Sequence, residues 1–242
     1  MNNQERQNRS YDSHSMLKDF DSLMQIARKV GIKFFEDKVI DRLAQDARVE
    51  YEKIIHQLPY VGGDASMFTD LMVQSGQTVA FYKACKEKGI QDRLIGELLY
   101  EIAEEQVRSV SWIKKWLARN LFFTRSYRNK WKSAMEDSQK REYSTNWVGE
   151  FVEGDEKNFD YGFDFLECGY LKLAQSHGGE EFGPYVCLCD FARMRGLGIG
   201  FQRTQTLARG HPRCDFRFKK GIETLRGWPP EILDEVKNSP TT

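Results

Sequence analysis

The spacing of apolar residues changes midway along this 242-residue chain, and that change limits the fold more than any other feature. In the first half, apolar side chains recur every three or four residues, as at Ile40, Leu43 and Ala47, which places them on one face of a helix. From Phe159 to Phe165, aromatic residues alternate with Gly or Asp, which is the period of a half-buried strand. The sequence therefore predicts an α+β fold: a helical N-terminal half, then a small antiparallel sheet with helices.

Composition and turn residues divide the chain into four predicted segments. Residues 1–15 form a polar tail that we predict to be disordered, and residues 16–142 form the helical region. Residues 143–226 form the α+β region, in which we expect catalysis or ligand binding. Residues 227–242 form a C-terminal tail.

Gly, Pro and capping residues predict where individual elements begin and end. In the first half, we expect a helix that ends before Pro59, a helix from a cap at Asp64 or Ser66 to Gly89, and a helix from Asp92 whose spacing continues through Leu121. In the second half, the predicted strands are Trp147–Val152, Phe159–Phe165, Leu197–Ala208 and Cys214–Lys219, and the predicted helices are Gly169–Gln175 and one that begins near Pro184.

Charge and cysteine content exclude several classes of protein. The 36 Lys and Arg residues balance 36 Asp and Glu residues, which argues against a nucleic-acid-binding protein. The sequence has no apolar run near the ~20 residues of a membrane-spanning helix, so we expect no stable membrane insertion. The polar N-terminus lacks a secretory signal, and five cysteines are an odd number, so we expect free thiols in a reducing cytoplasm.

A basic segment from Arg108 to Arg141 contains ten Lys and Arg residues against Glu136 and Asp137. It also contains aromatic residues, among them Trp112 and Trp116. A basic amphipathic helix of this kind can lie on an anionic membrane or bind phosphates. The alternative, which we favour, is a solvated helix face whose aromatic side chains pack on the second half.

Four of the five cysteines fall within residues 168–214. Cys187 lies in the first turn of the helix predicted from Pro184, where the helix dipole favours a thiolate. Asp190 follows three residues later, on the same face. One interpretation is a nucleophilic thiol, with Asp190, Glu167 or His211 moving protons.

Two other interpretations of the cysteines stay open. The first is a metal, most simply zinc, held by some of the residues Cys168, Cys187, Cys189, Cys214 and His211. Against it, the Cys187-Leu188-Cys189 spacing is not that of a zinc knuckle. The second is packing alone, because Cys214 shares its predicted strand face with Phe216 and Phe218.

Polar and cationic residues lie in the same stretch, at Arg203, Thr204, Thr206 and Arg217. Such groups can bind a carboxylate in a forked geometry. Surface charge is the alternative, and for Arg217 taken alone we favour it.

Three stretches of the second half resemble the L-2-amino-thiazoline-4-carboxylic acid hydrolase family. They are Tyr161–Gly169, Pro184–Asp190, and Gly200–Gly210 followed by Cys214–Phe218. The resemblance extends over roughly residues 35–222, and the third stretch is the most specific. It implies a hydrolase that opens the ring of a 2-aminothiazoline carboxylate to give a carbamoyl-cysteine. His211 and Cys189 lie between the matching positions, so the resemblance implies no role for them.

The resulting hypothesis is a hydrolase acting on a small cyclic amidine-like carboxylate. A carboxyl group protonates the ring nitrogen, a cysteine or a water that it activates attacks, and Arg203 holds the substrate carboxylate. The predicted catalytic residues are Cys168, Cys187, Asp190, Glu167 and Cys214, and the predicted substrate-binding residues are Arg203, Thr204, Thr206, Asp215 and Arg217. We predict no cofactor, with zinc as the minority alternative, and a possible homo-oligomer. The alternative function is a non-catalytic domain that senses a small molecule in the same pocket.

Overall fold

A computed structural model describes residues 11–155 and 157–239, and its architecture confirms the α+β prediction. The helices of the N-terminal half are α1 (Ser13–Gly31), α2 (Asp37–Ile55), α3 (Thr69–Glu87), α4 (Asp92–Arg108), α5 (Trp112–Phe122) and α6 (Arg125–Ser138). The elements that follow are β1 (Val148–Glu153), β2 (Tyr161–Glu167), α7 (Gly169–Ser176), α8 (Gly183–Val186), α9 (Leu188–Leu197), β3 (Phe201–Gln202), β4 (Cys214–Phe218) and α10 (Asp234–Lys237).

The helices α1 to α4 pack together through the apolar stripes that their spacing predicts. Ile40, Leu43 and Ala47 of α2 are all buried. The start of α3 differs from the prediction, because Asp64 lies in a short turn (Gly63–Ala65) and the Thr69 hydroxyl donates to the Gly63 carbonyl at 2.6 Å. The helix therefore begins at Thr69.

The predicted continuation of the fourth helix through Leu121 is wrong. The chain leaves α4 after Arg108, and the Ser111 hydroxyl accepts a hydrogen bond from the Lys114 amide, which starts α5. Most of the apolar residues of α5 consequently face away from the core, and Phe122 is its buried exception. Three aromatic residues of the basic segment pack inward as expected, namely Phe122, Phe123 and Trp131. The expectation is wrong for Trp112 and Trp116, which are exposed.

The strands form an antiparallel sheet in the order β1-β2-β4-β3. Because side chains alternate along a strand, Phe163 and Phe165 of β2 lie on one face of the sheet. On that same face they pair across the strands with Phe216 and Cys214 of β4. Trp131 of α6 stacks on Phe163 with ring centroids 4.7 Å apart. The aromatic alternation in β2 therefore marks the buried face of the sheet, as predicted.

Two elements of the second half are shorter than predicted. The strand expected over Leu197–Ala208 is limited to Phe201–Gln202, because the Asp215 carboxylate accepts hydrogen bonds from the Thr204 and Gln205 amides, which therefore do not extend the strand. The helix expected from Pro184 is interrupted at Cys187, which separates the four-residue α8 from α9.

The described ends of the chain pack against the core. Helix α1 begins at Ser13, and the buried Tyr11 donates its hydroxyl to the Pro59 carbonyl at 2.7 Å. Residues 11–15 therefore do not belong to a disordered tail. Residues 1–10 of that predicted tail lie outside the described part of the chain. At the other end, Trp228 and Leu233 belong to the hydrophobic core, so residues 228–237 are an integral element and not a tail. Among the described residues, no helix is long and apolar enough to cross a membrane.

Candidate active site

A single hydroxyl group links two of the predicted catalytic thiols. The Thr206 Oγ1 donates to the Cys187 Sγ at 3.4 Å and also lies 3.4 Å from the Cys214 Sγ. The Leu207 amide donates to the same Cys214 sulfur at 3.2 Å. Thr206 is completely buried. A chain of hydrogen bonds therefore runs from the Leu207 amide through Cys214 and Thr206 to Cys187.

Cys168 and Asp190 complete this group, which we call the thiol cluster (Cys168, Cys187, Cys214, Thr206 and Asp190). Cys168 lies where β2 passes into α7, and its thiol interacts electrostatically with that of Cys214 and with Asp190. The Cys187 thiol interacts electrostatically with the thiols of Cys168 and Cys214 and with Asp190. The structure thus brings together residues that are distant in the sequence. Cys168 and Cys187 are half-buried and the Asp190 side chain is 29% exposed, so the cluster borders the solvent.

Arg203 lies behind the cluster with a fully buried side chain. Its Nε donates to Glu235 at 2.5 Å, and its two Nη atoms donate to Asp190 at 2.8 Å, to the Cys187 carbonyl at 2.8 Å and to Glu235 at 3.1 Å. Four of its five N–H groups therefore point at protein acceptors. This arrangement holds Asp190 beside Cys187, and it leaves little of the guanidinium for the predicted substrate carboxylate.

Glu235 is the site residue that the sequence analysis missed. Its side chain is fully buried, and both of its carboxylate oxygens bind Arg203. It lies on α10, within the segment predicted to be a tail. Nothing in its local sequence distinguishes it from an ordinary surface glutamate of a short amphipathic helix.

The thiols of the cluster are protonated at neutral pH. Burial raises the pKa of Cys168 to about 12 and raises that of Cys187 well above its ordinary value, although the charge of Arg203 lowers the pKa of Cys187 in part. Burial also raises the pKa of Cys214. The expected lowering of the Cys187 pKa at a helix N-terminus is wrong, because Cys187 precedes α9 and the loss of solvent outweighs the helix dipole.

Three predicted substrate-binding residues lie apart from the cluster. Asp215 and Arg217 alternate with Cys214 along β4 and so occupy the opposite face of the sheet. The Asp215 carboxylate accepts from the Thr204 amide at 2.8 Å and from the Thr204 hydroxyl at 2.6 Å, which anchors the loop leading to Thr206. Arg217 donates to Asp164 at 2.7 Å.

Two predicted proton-transfer groups also have other partners. Glu167 forms ion pairs with Arg141 and with Lys172, the latter at 2.5 Å. The ring of His211 is buried, and its Nε2 lies 3.2 Å from the Glu235 carbonyl. Asp190 is therefore the carboxylate whose charge acts on all three thiols of the cluster. Within the described ranges, no three Cys, His, Asp or Glu residues are grouped so that they could hold a metal ion.

Comparison with known proteins gives a match at the level of the family. The model of a family described as L-2-amino-thiazoline-4-carboxylic acid hydrolase matches residues 70–218, which is more than half of the chain. The matched range contains the whole thiol cluster and Arg203, but it ends before Glu235. No curated protein and no solved structure matches the chain.

Proposed function

The chain belongs to the L-2-amino-thiazoline-4-carboxylic acid hydrolase family, and we propose that its thiol cluster opens the ring of a small 2-aminothiazoline-4-carboxylate-like substrate. The observation that carries this proposal is the Thr206 hydroxyl, which joins Cys187 and Cys214 beside an Asp190 that Arg203 holds in place. Cys187 is the proposed nucleophile, because it is half-buried and lies next to this carboxylate. The five unpaired cysteines support a reducing, cytoplasmic compartment.

The substrate carbon is a poor electrophile until its ring is protonated, since it is flanked by two nitrogens and a sulfur. A protonated thiol beside a carboxylate provides both the nucleophile and the proton. Asp190 accepts the Cys187 proton and passes it to the ring nitrogen while the sulfur forms a bond to the carbon. The bond to the ring sulfur then breaks, and that sulfur leaves as a thiolate that takes a proton from the amidinium group.

Water completes the reaction. Asp190 accepts one proton of the water as its oxygen adds to the carbon, the remaining hydroxyl proton passes to the imino nitrogen as the carbonyl forms, and Asp190 gives its proton to the Cys187 sulfur as this leaves. One water is consumed, and the product is a carbamoyl-cysteine. In this scheme Arg203 is a positioning residue that orients Asp190 through the hydrogen bond from its Nη1 to that carboxylate.

The experiment incubates the full chain with L-2-aminothiazoline-4-carboxylate and measures thiol release over many turnovers. We expect turnover by the wild type and a loss of at least about 100-fold in C187S. The matched control is C189S, since Cys189 is two residues away, buried and hydrogen-bonded to the Leu99 carbonyl outside the cluster. Unchanged turnover in C187S would remove Cys187 from the chemistry.

The raised pKa of the thiols favours a second candidate function, which is ligand binding without turnover. A domain that only senses the ligand needs no thiolate. The same assay separates the two functions: thermal stabilisation by the ligand without released thiol indicates the sensor. Metal analysis of the purified protein tests the zinc alternative, and stoichiometric zinc that is lost together with activity on chelation would favour it.

A further inference from the structure

Helix α5 exposes an apolar face of unusual size. The side chains of Trp112 and Trp116 are 75% and 54% exposed, and those of Ile113, Leu117 and Leu121 are also exposed. A monomeric surface rarely presents so many large apolar side chains side by side. We call these five residues the α5 apolar face.

The face lies opposite the buried side of the helix, and the half-buried Asn120 is the one polar residue of α5 within it. At about 100° per residue, its five side chains cover about 180° of the helix surface. Phe122 lies on the other side, where it contacts Tyr161 and Phe218 of the sheet with ring centroids 5.7 Å and 4.9 Å away. The helix is therefore anchored to the fold by one side and presents the α5 apolar face outward.

Unpaired cations flank this face. At the same spacing of about 100° per residue, Lys114 and Arg119 fall at the two edges of the α5 apolar face, between its side chains and the rest of the protein. Two cations of the next helix, Arg128 and Lys132, share the acidic partner Glu153, with Lys132 at 2.8 Å. In the part of the chain that the structure describes, neither Lys114 nor Arg119 forms an ion pair.

We propose that α5 docks the protein onto the surface of a membrane that contains anionic phospholipids. Lys and Arg at the edges and Trp, Ile and Leu between them are the arrangement of a helix that lies in a membrane interface. The tryptophan indoles match the boundary between headgroups and acyl chains. Such binding is peripheral and reversible, and it is independent of the proposed hydrolysis.

Charge complementarity favours this occupant over a second copy of the chain. In a two-fold dimer through α5, the same surface of each copy meets the other. Lys114 and Arg119 would then approach the Lys114 and Arg119 of the other copy, with no acidic residue of α5 to neutralise them. An anionic lipid surface supplies the missing negative charge.

The experiment measures co-sedimentation of the full chain with vesicles. One set contains phosphatidylcholine alone, and the other contains about 30% phosphatidylserine. We expect binding to the second set only, with a blue shift of tryptophan fluorescence. W112A/W116A should weaken this binding at least about tenfold, and so should K114E/R119E.

Matched control variants come from α2, which also has exposed valines and cations. V39S/V49S and K38E/R42E remove comparable groups from that helix and should leave vesicle binding unchanged. Thermal denaturation checks that each variant is folded. The proposal is overturned if the wild type binds neither set, if it binds both sets equally, or if W112A/W116A abolishes self-association and not lipid binding.

Discussion

Thr206 is the residue that connects the thiol cluster, since its one hydroxyl proton and its oxygen lone pairs serve both sulfurs. Its hydroxyl donates to Cys187, so its oxygen remains free to accept from the Cys214 thiol. A hydrogen bond to sulfur stabilises the thiolate more than the thiol. The Thr206 hydroxyl lowers the pKa of Cys214 in part, against the effect of burial, and its donation to Cys187 acts in the same direction on that sulfur.

Replacement of Thr206 by valine tests this connection. T206V keeps the shape of the side chain and removes the hydroxyl, so we expect the Cys187 pKa to rise further and its alkylation by iodoacetamide at pH 8 to slow by about tenfold. Peptide mass spectrometry measures the modification of Cys187 separately from that of other cysteines. The control is T78V, because the Thr78 hydroxyl donates to the Gln74 carbonyl within α3, away from the thiol cluster. An unchanged alkylation rate in T206V would contradict the assigned hydrogen bond.

At this scale the sequence identifies residue types better than it identifies partners. Cys187 and Asp190 could be selected because both were expected on one face of the helix predicted from Pro184, and Cys168 because it lies in a stretch that resembles the family. Arg203 was also selected, yet its role differs, because the buried Glu235 that neutralises it lies in a segment with no distinctive pattern. Partners across a fold depend on tertiary contacts, which one sequence does not contain.

Among the elements, the C-terminal segment over residues 228–237 has the largest effect on the site. Its helix α10 brings Glu235 against Arg203, and its backbone carbonyl at Glu235 contacts His211. Trp228 and Leu233 anchor the segment in the core. The segment lies outside the range matched by the family model, so this chain completes its site with residues beyond that range.

Loss of the Glu235 carboxylate should destabilise the protein strongly, because Arg203 would remain buried without its main partner. We expect E235A to lower the free energy of unfolding by about 3–5 kcal/mol, and E235Q to lower it less because the amide oxygen still accepts a hydrogen bond. Urea denaturation measures the change. D234N is the control, since Asp234 is exposed and should shift stability by no more than about 0.5 kcal/mol. Equal stability of E235A and D234N would contradict this ion pair.

Elements with a clear period could be predicted, and elements fixed by single contacts could not. The aromatic alternation predicted β2 because the aromatic side chains of that strand are buried on one face of the sheet. The strand expected over Leu197–Ala208 was overestimated, because the Asp215 carboxylate binds the amides of Thr204 and Gln205 and so draws the loop away from the sheet. A single contact of this kind leaves no periodic pattern in the sequence from which it could be predicted.

For the whole molecule, the two halves share one hydrophobic core. That core runs from Tyr11 through the helices and the sheet to Leu233. The side chains at the interface are aromatic: Phe68, which precedes α3, stacks on Trp147, which precedes β1, with centroids 5.8 Å apart. The helical half therefore supports the sheet that carries Cys214, and damage to either half should affect both.

This shared core also buries ionisable groups throughout the molecule, which gives stability a specific pH dependence. Burial raises the pKa of Cys85 to about 12, that of Cys189 to about 11 and that of Tyr100 to about 12. In the unfolded chain these groups ionise near their ordinary values, about 8.5 for Cys and 10 for Tyr. Above pH 9 the unfolded state therefore binds fewer protons than the native state.

These groups should therefore leave the free energy of unfolding unchanged below about pH 8. As the pH rises toward 11, the free energy of unfolding should fall by up to about 1.4 kcal/mol per pH unit for each group. Urea denaturation at pH 7, 9 and 10.5 measures this fall. The matched variant is C85A, which removes one fully buried thiol and should make the fall between pH 9 and 10.5 less steep. Stability that is equal at pH 7 and 10.5, or an unchanged slope in C85A, would contradict burial as the cause of the raised pKa values.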